Sequence, residues 1–176
     1  MKLFYALWPD AGTRATLADE DRTLFAGNGG KMVSPAEYHL TINYLGEVDD
    51  GLLPALEDLG QRAAATAPAS VVELDRVEWW KESKVLVRVA SVTPEPLVRV
   101  DHALAVGLKA AGVVQPPRPL KLHLTLVRSI NPHPLGTGSV APLAWSADSL
   151  ALVRSSSGPG QRYQVLGQWP FRGPAG

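Results

Sequence analysis

HLTINYLG, at residues 39–46, returns in altered form as HLTLVRSI at residues 123–130. The chain has only four histidines, and two of them open these copies of one pattern, His-Leu-Thr followed by Ile or Leu. In a β-strand, residues i and i+2 point to the same side. Each copy therefore predicts a strand that presents its His and its Thr together on one face and buries its apolar residues on the other.

The segments in front of the two copies also match each other. A strand and then a helix are expected before each motif, and the span is 36 residues from Leu3 to His39 and 38 residues from Val85 to His123. Matching order and matching length indicate an internal duplication. We therefore predict two lobes about an approximate two-fold axis, with the two histidines facing each other across the groove between them.

Hydrophobic periodicity predicts the remaining elements. Strands are expected at residues 2–8, 71–80, 84–90, 149–157 and 162–169, the last two forming a hairpin. Helices are expected after Asp10, after Asp49-Asp50 and after Thr93-Pro94. The sequence thus predicts an α+β fold of two antiparallel-rich sheets flanked by helices, in a single domain over residues 1–176 that ends in a loose tail at 172–176.

The composition is that of a globular protein without a dominant charge. Hydrophobic residues make up 45% of the chain, and 17 basic residues balance 17 acidic ones. Without a basic field, a nucleic-acid substrate would have to be short or gripped locally. The absence of cysteine excludes disulfides, thiolate metal sites and a cysteine nucleophile, and it fits a reducing cytoplasm. The opening MKLFYALWPD is too short for a signal-peptide core or a membrane span.

The two motifs suit acid–base chemistry on a phosphate ester. Cleaving a cyclic phosphodiester needs a base that takes a proton from water and an acid that protonates the leaving oxygen. Imidazole titrates near neutral pH, so His39 and His123 can supply one neutral and one protonated ring. Thr41 and Thr125 can donate hydrogen bonds to the non-bridging oxygens. Two histidines without a nearby carboxylate or third histidine make a poor zinc site, so we predict no metal and no cofactor.

Each motif alone also has a structural interpretation. A single His-x-Thr in an apolar strand is typical of a half-buried histidine without a catalytic role. A duplicated fold can keep two such histidines, but packing gives no reason to keep the Thr in both halves. The ordered pair therefore favours a functional site.

The two motifs and their flanks resemble those of a known superfamily. His39-Leu40-Thr41-Ile42 and His123-Leu124-Thr125-Leu126 are similar to the two HxTx signatures of the 2H (two-histidine) phosphoesterases, and most similar to their RNA 2′,3′-cyclic phosphodiesterase branch, also called the bacterial and archaeal 2′–5′ RNA ligases. The likeness covers nearly the whole chain and includes LFYALWP at 3–9, the LGEV run after the first motif, the Arg-Pro lead into the second, LTLVR, and the late S-x-x-GPG-x-x-Y-x-VL-x-x-WP segment.

The resemblance implies a bilobal fold around a central groove, and hydrolysis of a 2′,3′-cyclic phosphate at an RNA 3′ end to a 2′-phosphate. It also implies a weaker reverse reaction that forms a 2′–5′ linkage. By position, His39 matches the proton donor to the leaving oxygen and His123 the base that activates water. Thr41 and Thr125 match the hydroxyls that hold the phosphate, and Arg128 matches a basic residue that contacts the substrate near it.

Two features depart from the simple pattern. Strict alternation places Arg128 on the side opposite His123, so it reaches the groove only if the strand ends or bulges after Thr125. The family usually has Pro before the second His, whereas this chain has Leu122.

Four further residues are candidates for substrate contact. Tyr5, Trp8 and Tyr44 can stack on the terminal base, although core packing is the usual role of such aromatics. Asn43 shares the His39 face by alternation, where it can touch substrate or make a strand-edge hydrogen bond.

Other functions stay open at this point. The physiological reaction can be 2′–5′ ligation, the substrate can be a small cyclic nucleotide, or the chain can be a non-catalytic RNA- or nucleotide-binding module. A binding module would tolerate the loss of one histidine, and both are present. We expect a monomeric cytoplasmic protein that acts on RNA with a 2′,3′-cyclic phosphate terminus and does not associate with membranes.

Overall fold

The protein is described here from a computed structural model that covers residues 1–25, 29–116, 118–130, 137–157 and 161–172. In chain order its elements are β1 (Lys2–Leu7), α1 (Ala11–Phe25), β2 (Lys31–Met32), β3 (Leu40–Glu47), α2 (Leu53–Ala64), β4 (Ser70–Trp80), β5 (Val85–Val89), α3 (Glu95–Ala110), β6 (His123–Arg128), β7 (Gly138–Ala147), β8 (Ser149–Ser155) and β9 (Tyr163–Pro170). Within the described ranges this is an α+β fold with three α-helices, as the sequence predicts.

The strands form two antiparallel sheets. The first has the strand order β3-β1-β8-β9 and the second the order β2-β6-β5-β4-β7. Each motif strand pairs antiparallel with the strand that opens its half, β3 with β1 and β6 with β5. This equivalence is the one that the predicted duplication requires.

The helix starts follow from capping side chains. Asp10 Oδ1 accepts a hydrogen bond from the Thr13 backbone N–H at 2.7 Å, which satisfies an otherwise free donor in the first turn of α1. Asp49 Oδ1 accepts one from Gly51 N–H at 2.7 Å in the short 3₁₀ turn that leads into α2. Both capping residues are the ones that the sequence indicates.

One long strand has no counterpart in the sequence prediction. β7 lies at the edge of the second sheet and pairs with β4, and its Leu143, Trp145 and Ala147 alternate inward. Pro142 interrupts the run, and the β4–β7 register shifts near it. An edge strand tolerates a proline because its outward side needs no N–H donor.

The two sheets share one core and keep separate apolar patches on their site-facing sides. The large buried cluster draws on both sheets and all three helices. On the site face of the first sheet, Phe4 and Ala6 pack with Ala151 and Val153. On the site face of the second, Val85, Val87 and Val89 pack together, as the alternation in β5 predicts. Each patch forms the floor beneath one of the two histidines.

Two further observations concern the end of the chain and the length and apolar character of the helices. Arg172, the first residue of the predicted loose tail, donates its backbone N–H to the Ala67 carbonyl at 3.0 Å, and residues 173–176 lie outside the described part. In that described part, no helix is long and apolar enough to cross a membrane.

Candidate active site

A cavity of about 350 Å³ lies between the site faces of the two sheets. Its lining residues come from both halves of the duplication: Lys2, Phe4, His39, Thr41, Tyr44, His123, Thr125, Arg128, Ser155, Ser157, Arg162 and Tyr163. The structure therefore brings together both histidines, both threonines, Arg128 and Tyr44.

A β-bulge in β6 turns Arg128 into this cavity. Thr125 lies opposite Val87 and Val127 lies opposite Leu86, so Leu126 is an extra residue between them. Because cross-strand partners share a face, Val127 lies on the core side with Leu86. The next residue, Arg128, therefore lies on the same side as Thr125. This is the bulge after Thr125 that the sequence analysis requires.

An equivalent bulge in β3 turns Tyr44 into the cavity. Thr41 lies opposite Ala6, Asn43 lies opposite Tyr5, and Ile42 is the extra residue between them. Tyr44 then faces the site beside Phe4 and is 50% exposed. Tyr44 stands five residues after His39, as Arg128 stands five after His123, so the duplication carries an aromatic ring in one half and a guanidinium in the other.

Two residues that the sequence predicts at the site lie elsewhere, Asn43 because of this bulge and Tyr5 because it alternates with Phe4 along β1. Asn43 does not share the cavity with His39, because the extra residue moves it to the core face, where it is 6% exposed. Tyr5 lies on that face as well, is fully buried, and donates its hydroxyl to the Leu56 carbonyl at 2.6 Å. Neither residue reaches the cavity between the two histidines, so both predictions of substrate contact in this cavity are wrong.

Both imidazoles are held in the same way. His39 Nδ1 lies 2.6 Å from the Glu37 carbonyl oxygen, and His123 Nδ1 lies 2.9 Å from the Lys121 carbonyl oxygen. A carbonyl oxygen only accepts, so each Nδ1 carries the proton and donates it. These bonds fix both ring orientations and leave Nε2 as the nitrogen available for proton transfer.

His39 is enclosed by aromatic rings. Its ring stacks on Trp8 with centroids 5.5 Å apart and 14° between the planes, and it contacts Phe4 at 5.0 Å and the edge of Tyr163 at 4.9 Å. Burial lowers the pKa of His39 to about 4; the hydrogen bond to the main-chain carbonyl opposes this shift and the positive charge of Arg128 adds to it. Trp8 thus lies at the site, but it packs against the imidazole.

His123 has a more open setting. It contacts Trp80, with ring centroids 4.5 Å apart and 52° between the planes. Burial also lowers the pKa of His123, the hydrogen bond to the Lys121 carbonyl opposes this, and the ammonium of Lys121 adds to the lowering. The two histidines of the duplication are therefore alike in orientation and different in environment.

The cavity is equipped for an anion. Arg128 and Arg162 lie close enough to His39 for their charges to lower its pKa, and Lys2 lines the same space. Within the described part of the chain, Nε of Arg128 is buried and has no hydrogen-bond partner. A buried donor without a partner is costly, and a phosphate oxygen would satisfy it.

Sequence reasoning missed six of the lining residues. Lys2 and Phe4 lie on β1, and Ser155, Ser157, Arg162 and Tyr163 belong to the closing hairpin, which reaches the site because β8 pairs with β1. Their residue types carry no local motif. The signals for them were the family likeness of LFYALWP, which contains Phe4, and that of the late segment around Tyr163.

The connector before β6 holds the bulged strand of the other half. Arg118 donates from a guanidinium nitrogen to the Ile42 carbonyl at 3.0 Å, and the Gln115 side-chain amide donates to the Tyr44 carbonyl. β3 is an edge strand, so these carbonyls have no partner strand on that side. The two side chains therefore cap the edge and fix the bulge that aims Tyr44.

These features define a class of protein. A duplicated α+β fold that places two oriented imidazoles and several basic side chains around one cavity fits an enzyme that cleaves phosphoesters. A family model described as LigT-like phosphoesterase matches residues 7–90. The RNA 2′,3′-cyclic phosphodiesterase of Thermus thermophilus is 30% identical over all of this chain and 93% of its own length. This chain belongs to the LigT-like phosphoesterase family and is an enzyme.

Further relatives agree in sequence and in fold. The RNA 2′,3′-cyclic phosphodiesterase of Escherichia coli K12 is 27% identical over 96% of this chain and 95% of its own length. The crystal structure of E. coli LigT with 3′-AMP superposes with a TM-score of 0.84 at 26% identity, covering 97% of each chain. A crystal structure of a Thermus thermophilus protein gives 0.83 at 29% identity, covering 99% of this chain and all of that one.

Proposed function

We propose that this enzyme hydrolyses 2′,3′-cyclic phosphate ends of RNA to 2′-phosphates, with His39 and His123 as the acid–base pair. The observation that carries the proposal is the pair of imidazoles on one cavity, each donating Nδ1–H to a carbonyl two residues earlier. The names of the full-length relatives and the 3′-AMP complex of the E. coli neighbour support the choice of a ribonucleotide phosphate.

The reaction needs one proton taken and one proton given. Nε2 of His123 takes a proton from water, whose oxygen attacks phosphorus opposite the leaving group. The bond from phosphorus to O3′ breaks, and Nε2 of His39 gives its proton to that oxygen. The products are a 2′-phosphate and a free 3′-hydroxyl, and a proton returned through solvent restores the starting states of both rings.

The substrate itself supplies the proton state that the acid requires. With a pKa of about 4, His39 is neutral in the empty site at pH 7. A bound phosphate anion favours the charged imidazolium and pairs with the basic groups whose charges disfavour it. We infer that His39 takes up a proton as the cyclic phosphate binds, so that the acid is ready only when the substrate is present.

The other lining residues hold the substrate in line. Thr41 and Thr125 donate their hydroxyl protons to the non-bridging oxygens, and Arg128 pairs with the phosphate charge through its free Nε. Tyr44, half-exposed at the cavity, offers a face for the terminal base. This local grip matches a chain without net charge, which suits recognition of an RNA end and not of a long backbone.

The decisive assay uses the purified enzyme in EDTA with an RNA oligomer that ends in a 2′,3′-cyclic phosphate. His39→Ala and His123→Ala should each lower kcat/KM by about 10² to 10⁴, the usual contribution of a general acid or base. His102→Ala, which changes an exposed histidine on α3, is the matched control and should leave the rate unchanged. Full activity in either site variant, or loss of wild-type activity in EDTA, would overturn the proposal.

Four narrower statements belong to the same proposal. We infer that the enzyme can also form a 2′–5′ linkage: a 5′-hydroxyl takes the place of water, its oxygen attacks the phosphorus of the cyclic phosphate, and the bond to O3′ breaks to leave a free 3′-hydroxyl. We also infer that it acts as a monomer, in the cytoplasm and as a single domain over residues 1–176. Sedimentation of the active enzyme tests the monomer, and the product linkage tests the ligation.

A further inference from the structure

A second and larger cavity lies on the other face of β3. It measures about 510 Å³ and is bounded by β3, the C-terminal part of α3 and the connector before β6. Its lining residues are Asn43, Asp101, Ala105, Leu108, Lys109, Val113, Val114, Gln115, Pro116 and Arg118. It shares none of these residues with the catalytic cavity.

Asn43 is the polar group at the base of this cavity. The side chain is 6% exposed, and its Nδ2 donates to Asp101 Oδ1 at a long 3.4 Å. Among the described residues, its Oδ1 has no hydrogen-bond partner. A buried carbonyl oxygen without a donor is destabilising, so the native fold carries an acceptor here that a ligand would satisfy.

The duplication shows that packing does not require this asparagine. Asn43 follows His39 by four residues, and Val127 follows His123 by four. Both lie on the core side just after a bulge, and Val127 is fully buried. The half with the apolar residue has no free polar atom at this position, so the amide in β3 is an addition to the common fold.

The rest of the wall limits the chemistry of an occupant. Asp101 is half-buried and adds carboxylate oxygens beside Asn43, and burial raises its pKa. Leu108 and Val113 form part of an apolar wall, and Lys109 stands exposed at the rim. The cavity therefore favours a ring with adjacent N–H donors on one edge and a negative charge at the other end.

We propose that this cavity binds the guanine base of a nucleotide, through Asn43 Oδ1 and the Asp101 carboxylate. Guanine presents N1–H and the N2 amino group side by side, which matches two neighbouring acceptors. Adenine and cytosine offer one amino group beside a ring acceptor, and uracil offers one N–H between two carbonyls. The ring lies against the apolar wall, and the phosphate pairs with Lys109.

The guanine can belong to a free nucleotide or to the RNA substrate. β3 separates the two cavities, with Thr41 and Tyr44 on one face and Asn43 on the other. An RNA that passes around this edge strand could occupy both. The recognition chemistry is the same for both sources, and binding at Asn43 does not depend on hydrolysis at the histidines.

Calorimetric titration with GMP and IMP tests the proposal, because inosine lacks only the N2 amino group. We expect the wild-type enzyme to bind GMP about tenfold or more tightly than IMP, as one lost hydrogen bond to a buried group implies. Asn43→Val, which copies the residue of the other half, should erase this preference and keep the melting temperature. Asp101→Asn should also weaken GMP binding, because it removes the charge from the second acceptor, and His123→Ala should retain the full preference.

A second experiment distinguishes a guanine in the RNA substrate from a guanine in a free nucleotide. RNA substrates are prepared with a single guanosine-to-inosine replacement at each position in turn. If the guanine comes from the RNA, the replacement at one position should raise KM for the wild type, and no replacement should raise KM for Asn43→Val. A preference for GMP without such an effect assigns the site to a free nucleotide. Equal binding of GMP and IMP to the wild type, or a preference that survives in Asn43→Val, would show that the proposal is wrong while leaving the hydrolytic activity untouched.

Discussion

At the scale of the residue, the two histidines occupy equivalent positions and unequal environments. His39 is surrounded by Phe4, Trp8 and Tyr163, whereas His123 meets Trp80. Desolvation disfavours the charged imidazolium, so the more enclosed ring is the harder one to protonate in the free enzyme. In the proposed mechanism, His39 therefore gains the proton that it donates only when the phosphate anion binds.

This environment predicts different pH profiles for the free enzyme and for the complex. The kcat/KM profile reports the free enzyme, and both histidine pKa values are lowered there, that of His39 to about 4. We therefore expect a kcat/KM optimum below pH 6.5, the ordinary pKa of histidine. The kcat profile reports the complex, in which the phosphate raises the pKa of His39, so its descending limb should lie at higher pH. Coinciding descending limbs would contradict substrate-linked protonation.

Residue type alone predicted part of the cavity. The i, i+2 spacing in each motif correctly put the imidazole and the hydroxyl on one face. The same alternation misplaced Asn43, because a bulge shifts every later residue to the opposite face and no residue type announces it. For Arg128, the family likeness and the expected alternation conflicted, and that conflict itself pointed to the bulge in β6.

At the scale of the element, the bulge in β3 depends on side chains from the other half of the chain. Arg118 and Gln115 donate to the Ile42 and Tyr44 carbonyls along the free edge of the strand. They precede His123 in the sequence, so one short connector leads into the second motif and also holds the first. Arg118 is exposed and also donates a hydrogen bond to the main chain of β3.

This contact predicts an activity defect without a folding defect. Arg118→Met should lower kcat/KM by about 10- to 100-fold, because displacement of the bulge misplaces Thr41 and Tyr44. Arg118→Lys should recover part of the activity. Arg99→Met is the control, since Arg99 pairs with Glu95 on the surface of α3 and not with β3. Steady-state kinetics with thermal melting checks the effect, and unchanged kinetics in Arg118→Met would show that the edge contact does not position the site.

Helix α1 is held to the second sheet by a buried ion pair. Arg88 of β5 and Asp21 of α1 are both almost fully buried, with Nε and Oδ1 3.3 Å apart, and Glu20 stands 3.5 Å from the same guanidinium. Burial raises the pKa of Asp21 to about 7, and the guanidinium opposes the shift. The carboxyl can therefore become neutral when it loses its partner, and the guanidinium cannot.

The pair predicts unequal effects on stability. Asp21→Leu leaves a buried cation and should lower the free energy of unfolding by about 3–5 kcal/mol. Arg88→Met should lower it less, because Asp21 can then take up a proton. The double variant should be more stable than Asp21→Leu alone. Urea unfolding at pH 7 measures all three, and a larger loss in Arg88→Met than in Asp21→Leu would contradict this account.

At the scale of the whole molecule, the two halves exchange their helices. α1 follows β1 of the first sheet and contacts Arg88 in the second, while α3 follows β5 of the second sheet and contacts Asn43 in the first. Each helix therefore ties its own half to the other.

The sequence predicted the order of elements in the two halves better than it predicted which strands make up each sheet. Periodicity and capping residues located the three helices and the strands around both motifs. β7 was not predicted because Pro142 interrupts the alternation of its apolar residues. The presence of Arg162 and Tyr163 at the cavity was not predicted, because it arises only when β8 pairs with β1. No local sequence pattern encodes this long-range register.

In the proposed mechanism, His39 protonates the leaving O3′ while His123 activates water. The most direct test is single-turnover cleavage of an RNA whose 2′,3′-cyclic phosphate carries sulfur in place of the 3′ bridging oxygen. A thiolate leaves without a proton, so His39→Ala should cleave this substrate nearly as fast as the wild type, and His123→Ala should stay inactive. Equal loss of activity in both variants, or recovery in His123→Ala, would contradict the assignment.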